Sequence, residues 1–252
     1  MNLRFVLFFF APFISNYLGA EVDLPTSEEL SKLEKKYSEI DRTCTKRILK
    51  NSVDISSFSS RGDARLFLGD FKGARLDYEK MIELNPNLEL SHWRLGIVYF
   101  YLSEFKMASR QFEIYHQFDE VDRENGIWRF MSQFQLSGLN KARKDLLRYS
   151  QDDRPPYPWL YSMFAGEISP EDVFDRIKQQ HFPPQYEVRV LFHANLYVGI
   201  YLELTEEDPQ RAMNYLAHAT ANQYGRSTGT YMWQVARLHH ARLVRSVQKL
   251  QN

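Results

Sequence analysis

Residues 55–122 say the same thing twice. Shifted by 34 residues, the chain places Gly62 on Gly96, Phe71 on Phe105, Ala74 on Ala108 and Tyr78 on Phe112. A chain with such a period is built from copies of one supersecondary unit, and each copy buries its apolar face against the next. Two antiparallel helices approach closely only where a side chain is minimal, so Gly62 is expected to meet Ala74, and Gly96 to meet Ala108. Pro86 lacks an N–H and disfavours helical geometry at Asn85, which closes the first unit. The expected fold class is all-α, a solenoid of helix-turn-helix repeats with capping helices.

The first copy carries Phe58, Gly62, Ala64, Gly69, Phe71, Ala74, Tyr78, Leu84 and Pro86, and the second carries Leu95, Gly96, Tyr99, Phe105, Ala108 and Phe112. This pattern resembles the tetratricopeptide repeat, a helix-turn-helix unit of the same period.

The flanking chain reads as further helices. Residues 21–54 form a capping region of one amphipathic helix or two short ones. Thr26 with Glu29 makes a capping box, and Leu30, Leu33, Tyr37 and Ile40 follow at helical spacing. Residues 123–150 look like a degenerate third repeat, with Phe130 where the small residue belongs, a first helix around 127–135, Ala142 in the second helix, and Leu146 in the late bulky place. Residues 151–190 break the pattern with Pro155, Pro156 and Pro158, then short helices around 159–164 and 173–180. Residues 191–252 return to a repeat-like pair, about 187–204 and 209–221, with one extra turn residue. A last helix begins near Thr230 and carries Trp233, Ala236, His240, Leu243, Val247 and Leu250 as a stripe.

Composition sets the limits on function. Thirty-two basic and 32 acidic residues balance, so no bulk field argues for nucleic acid. One cysteine, Cys44, excludes an internal disulfide and a cysteine-cluster metal site. Residues 1–20 read as a cleaved secretory signal: Arg4, an apolar run over 5–14, and Leu18-Gly19-Ala20 before Glu21. A short signal anchor is the alternative, but the run is about half the roughly 20 residues that a span needs. The expected location is therefore exported, periplasmic or secreted, with a secretory or organelle lumen as the alternative.

The order of motifs beyond the repeats carries a second likeness. It comprises Ala142 to Leu147, Asp152-Asp153, Trp159 through Gly166-Glu167-Ile168-Ser169 to Arg176-Ile177-Lys178, and Leu196-Tyr197-Val198-Gly199. It resembles the periplasmic new-lipoprotein-I adaptors of Gram-negative bacteria. The resemblance implies an all-helical homodimer that holds cell-wall hydrolases and a processing protease together. The chain departs from that family in lacking a lipid-bearing cysteine after the signal, so no lipid anchor is expected.

In tetratricopeptide units the first helix of each pair lines the concave face. Its groove positions fall on Ser56, Ser59, Asp63, Leu66 and Phe67, on Leu90, Trp93, Ile97, Phe100 and Tyr101, and on Glu124, Ile127, Met131, Phe134 and Gln135. The candidate partner-binding groove is Trp93, Ile97, Phe100, Tyr101, Met131 and Phe134, apolar and aromatic, suited to an apolar helix or peptide. The alternative occupant is the chain's own last helix or proline-rich loop. After Asp208 no acidic residue follows, and Arg237, Arg242, Arg245 and Lys249 share a flank of the last helix. That flank suits an acidic partner or an anionic surface, or is a solvated face favoured by the helix dipole.

Enzyme motifs are missing. The seven histidines show no ligand spacing, Asp152-Asp153 and Glu206-Glu207 read as solvated loops, and no nucleophile elbow or phosphate loop occurs. Arg61-Gly62-Asp63 spells an adhesion tripeptide inside a packing helix, an accidental match. The expected function is a non-enzymatic scaffold for other proteins, with no cofactor and no metal. An enzyme with its site in 151–184 and a structural homodimer are the alternatives.

Overall fold

A computed structural model describes residues 22–205 and 208–251; the expected signal at 1–20 and the Glu206-Glu207 pair lie outside them. The described residues are all-α, with no strand among them. Helix α1 spans Ser27–Lys50, α2 Ile55–Phe67, α3 Phe71–Leu84, α4 Trp93–Tyr101, α5 Phe105–Phe118, α6 Arg123–Ser137 and α7 Leu139–Lys144. Then come α8 Tyr157–Ala165, α9 Pro170–Gln179, α10 Pro184–Thr205, α11 Pro209–Ala221, α12 Gln223–Thr228 and α13 Tyr231–Gln251. A 3-10 turn at Pro86–Ser91 joins α3 to α4, so Leu90 lies before the helix and is exposed, not in the groove.

Local chemistry starts these helices where the sequence says it should. Thr26 and Glu29 form the capping box of α1, which is one unbroken helix. Asp54, Asp70 and Asp208 cap α2, α3 and α11 through their side chains, and Ser169 with Asp172 boxes α9. Gly166 ends α8 at φ +83°, a conformation that costs other residues about 1–2 kcal/mol.

Consecutive helices pack as hairpins, α2 on α3, α4 on α5 and α10 on α11, which makes the molecule a helical repeat solenoid. The tight contact in each hairpin differs from the expected glycine–alanine one. A Cβ on Gly62 would stand 2.5 Å from the Tyr78 ring, and one on Gly96 2.6 Å from the Phe112 ring. The late aromatic therefore lies across the glycine, and the ring is wholly buried in both units. Gly199 meets Leu216 in the same way, 17 positions on instead of 16, which is the extra turn residue. Each such ring hides roughly 150–250 Å², a hydrophobic gain of a few kcal/mol at about 25 cal/mol/Å².

One buried ion cluster ties the first units together. Asp77, with its side chain 2% exposed, pairs with Arg61 at 2.6 Å and Arg65 at 3.0 Å, and Arg65 reaches Asp41 of α1 at 3.0 Å. Arg61 thus belongs to an internal pair, as does Asp63 with Arg94 at 2.7 Å, and neither belongs to an adhesion loop.

The third unit departs furthest from expectation. Its first helix starts four residues early, at Arg123, and its second is cut to α7, leaving Leu146 in a loop. The close approach moves to Gly126, where an added Cβ would stand 2.5 Å from the Tyr149 hydroxyl and 2.9 Å from the Tyr161 ring. Residues of the following loop and of α8 thus replace the missing helix.

Candidate interaction groove

The concave face is built by α2 and α4, and the chain's own C-terminal helix lies on it. Trp93 meets the ring of Tyr231 edge-on at 4.8 Å, and Phe67 meets the same ring at 5.1 Å. Tyr101 shares a hydrogen bond with His239 Nδ1 at 2.9 Å, while His239 Nε2 pairs with Glu203 of α10. Gln234 donates to the Tyr37 hydroxyl at 2.8 Å, and Arg237 donates to the Phe67 carbonyl at 2.5 Å. Helix α13 is therefore held between the repeat face and the α10–α11 hairpin, packed along α11 and tied to α10 through Glu203, with His239 2% exposed at the centre.

Of the two occupants expected for this groove, a partner segment or the chain's own last helix, the structure seats the last helix. Trp93 and Tyr101 are anchors, but the helix they hold is α13. Ile97, Phe100 and Met131 are buried in the stack itself, Phe100 against Phe105 and Trp128, and Phe134 is half-buried. Ser59 and Asp63 are not free either. Arg94 binds Asp63 at 2.7 Å and Ser59 at 3.1 Å, and Tyr78 donates to Asp63 at 2.5 Å.

The proposed basic flank divides. Arg237 is turned inward, and Arg242 lies 5.9 Å from the Tyr101 ring centre; Arg242, Arg245 and Lys249 are exposed. Two hollows stay open, one along the α1–α2 seam and one beside α13. A groove of about 540 Å³ between α1 and α2 is lined by Tyr37, Ile40, Cys44 and Phe67 together with charges of both signs, Lys36, Arg47, Glu39 and Asp63. A cleft of about 320 Å³ is lined by Leu24, Leu30, Phe67, Leu238 and His240. Cys44 is buried, and burial pushes its thiol up, which keeps it protonated and unreactive.

A polar network that sequence reasoning missed crosses α6, α8 and α10. Glu124 accepts from Tyr197, whose oxygen in turn accepts from Trp128 Nε1 at 3.1 Å. Arg154 reaches Glu124 at 3.4 Å and Asp153 at 3.0 Å and lies over the Tyr157 ring, and Tyr157 bonds His193 at 2.8 Å. Asp153 is 3% exposed and accepts the backbone N–H of Arg123, so it is an internal ligand of α6 and not a solvated turn. Burial, with Glu124 beside it, pushes the Asp122 carboxyl up to about 7, and burial raises Glu124 as well. The only sequence signal for this group was the run of aspartates before and after the third repeat.

No cluster of His, Cys, Asp or Glu that could hold a metal occurs among the described residues. No family model matches the chain.

Proposed function

We propose that the chain is an adaptor of tetratricopeptide type, resembling the new-lipoprotein-I adaptors, which is exported and binds protein segments without catalysing a reaction. The observation that carries this reading is the aromatic face of α2 and α4, which holds a 21-residue helix through Trp93, Phe67 and Tyr101. A face able to seat α13 has the chemistry to seat an amphipathic helix of another protein. The open groove along Tyr37, Ile40 and Phe67 offers partner contact without displacing α13.

The test is capture from native envelope extract with the full mature chain, with and without excess peptide of residues 230–251. A stoichiometric partner that the peptide displaces supports the reading. Failure to hold any protein, together with turnover of cell-wall or peptide substrates by the pure chain, overturns it.

One observation favours a second reading, an enzyme whose site includes part of 151–184. The carboxylates of Asp122, Glu124 and Asp153 gather around Arg154, and a carboxyl poised near neutral pH is suited to acid–base work. Loss of any measured turnover in Glu124→Gln, with folding intact, would decide for the enzyme.

A further inference from the structure

Arg237 turns inward from α13 and meets only neutral acceptors. Its Nε donates to Gln234 at 2.6 Å and its Nη2 to the Phe67 carbonyl at 2.5 Å. Among the described residues no carboxylate pairs with it, and its Nη1 makes no hydrogen bond. The two acids nearest in the fold to the start of α1, Asp23 and Glu29, are taken by Arg226. Burial pushes the Arg237 guanidinium down, opposed by the Tyr37 phenol and by no carboxylate. A half-buried cation held this way is short of a counter-charge.

Arg237 also walls the cleft of about 320 Å³ between α1, the end of α2 and α13. Leu24, Leu30, Phe67 and Leu238 give that cleft its apolar surface, and His240 adds an imidazole with no hydrogen bond among the described residues. Burial, with His239 beside it, pushes His240 down, so near neutral pH it is an uncharged donor. Glu34 is the acidic residue of the lining, and it is exposed. An apolar hollow with a few convergent polar groups has the make-up of a small-ligand site. Its main walls are helices, whose N–H and C=O groups are spent internally, so an extended peptide finds no ladder to join. A cavity of about 150 Å³ holds benzene, so this one has room for roughly a dozen heavy atoms.

We propose that this cleft binds a fatty acid of medium length, a carboxylate on a hydrocarbon chain of about ten carbons. Arg237 takes the carboxylate through charge-assisted hydrogen bonds, which a guanidinium makes best with that group. His240 donates beside it, and the chain lies against Leu24, Leu30, Phe67 and Leu238. The site is independent of the adaptor reading.

The test titrates the full mature chain at pH 7 with decanoate, decanol or acetate, below micelle-forming concentration, and reads the heat of binding. Decanoate is expected to saturate at one molecule per chain. Decanol keeps the chain and acetate keeps the head, and each should bind about ten-fold more weakly or worse. Arg237→Gln keeps a donor for the Phe67 carbonyl but loses the charge, and should weaken decanoate about ten-fold. Leu30→Asp places an acid at a position already 42% exposed. It should weaken decanoate as much while melting like the parent without ligand. Equal binding of decanol, several molecules per chain, no saturation, or unchanged binding in both variants overturns the proposal. So does tighter binding of a short peptide ending in a free leucine carboxylate.

Discussion

At the scale of single residues, the fold rests on rings lying across glycines. Gly62→Ala and Gly96→Ala each thrust a methyl to within 2.5–2.6 Å of a buried ring that has no space to retreat into. Each change should cost about 1–3 kcal/mol by overpacking, read as a lower midpoint in chemical denaturation with an unchanged slope. The sequence made the glycine and the aromatic visible at a spacing of 16, but not that they touch. Spacing assigns a residue to a helix face; it does not say which neighbour leans across. Charge acts at this scale too. Asp122 titrates near 7 in the fold against about 3.9 in the unfolded chain. A raised carboxyl contributes stability that is complete below its unfolded pKa and is lost as pH rises through about 7. Asp122→Asn removes that loss and leaves an oxygen to cap α6. The melting temperature of Asp122→Asn minus that of the parent should therefore increase from pH 4 to pH 7.5. His92 behaves oppositely, since burial depresses it to about 4. Its contribution is present above about 6.5 and fades as pH falls toward 4, so His92→Gln should lessen the acid sensitivity of melting.

At the scale of elements, α13 is the helix whose docking decides whether the concave face is covered. Its stripe was legible: Trp233, Ala236 and Leu243 are buried, and His240 and Val247 are half-buried. The residue that fixes its position was not, because His239 falls beside the stripe and earns its place only by finding Tyr101 and Glu203. Burial pulls Glu203 up, and His239 and Arg242 together outweigh it and hold the carboxyl down. His239→Ala leaves both partners without their buried bond, at about 1–3 kcal/mol. Faster amide exchange should appear in residues 231–249, with α3 and α5 unchanged; equal loss of protection throughout would show that α13 does not open on its own. The short α7 was illegible for a related reason. Its replacement comes from Tyr149 in the loop after α7 and from Tyr161 of α8, and Tyr161 lies beyond a proline-rich break that local periodicity cannot cross.

At the scale of the molecule, the stack curves until its ends meet. Arg226 donates to the Asp23 carboxylate at 2.8 Å and to Glu29 at 2.6 Å, across about 200 residues of chain. The Thr26 backbone N–H, together with Arg226, holds the Glu29 carboxyl down at about 2. Asp23 is exposed, and Glu29 and Arg226 are half-buried at the surface, so Arg226→Ala should shift global stability little. Limited proteolysis should nevertheless cut the segment around Val22–Pro25 sooner, whereas an unchanged digestion pattern would deny the contact a role. The repeat class and the helix order were legible because they are periodic and local. The closure was not, since no pattern in a linear chain marks which distant arginine will reach which early acid. An open solenoid can lengthen over evolutionary time by duplicating a unit, because one more hairpin simply extends the row. Here an added hairpin would carry Arg226 about 8–10 Å from Asp23 and Glu29, so duplication would trade this join for whatever contacts the lengthened stack makes between its first and last helices.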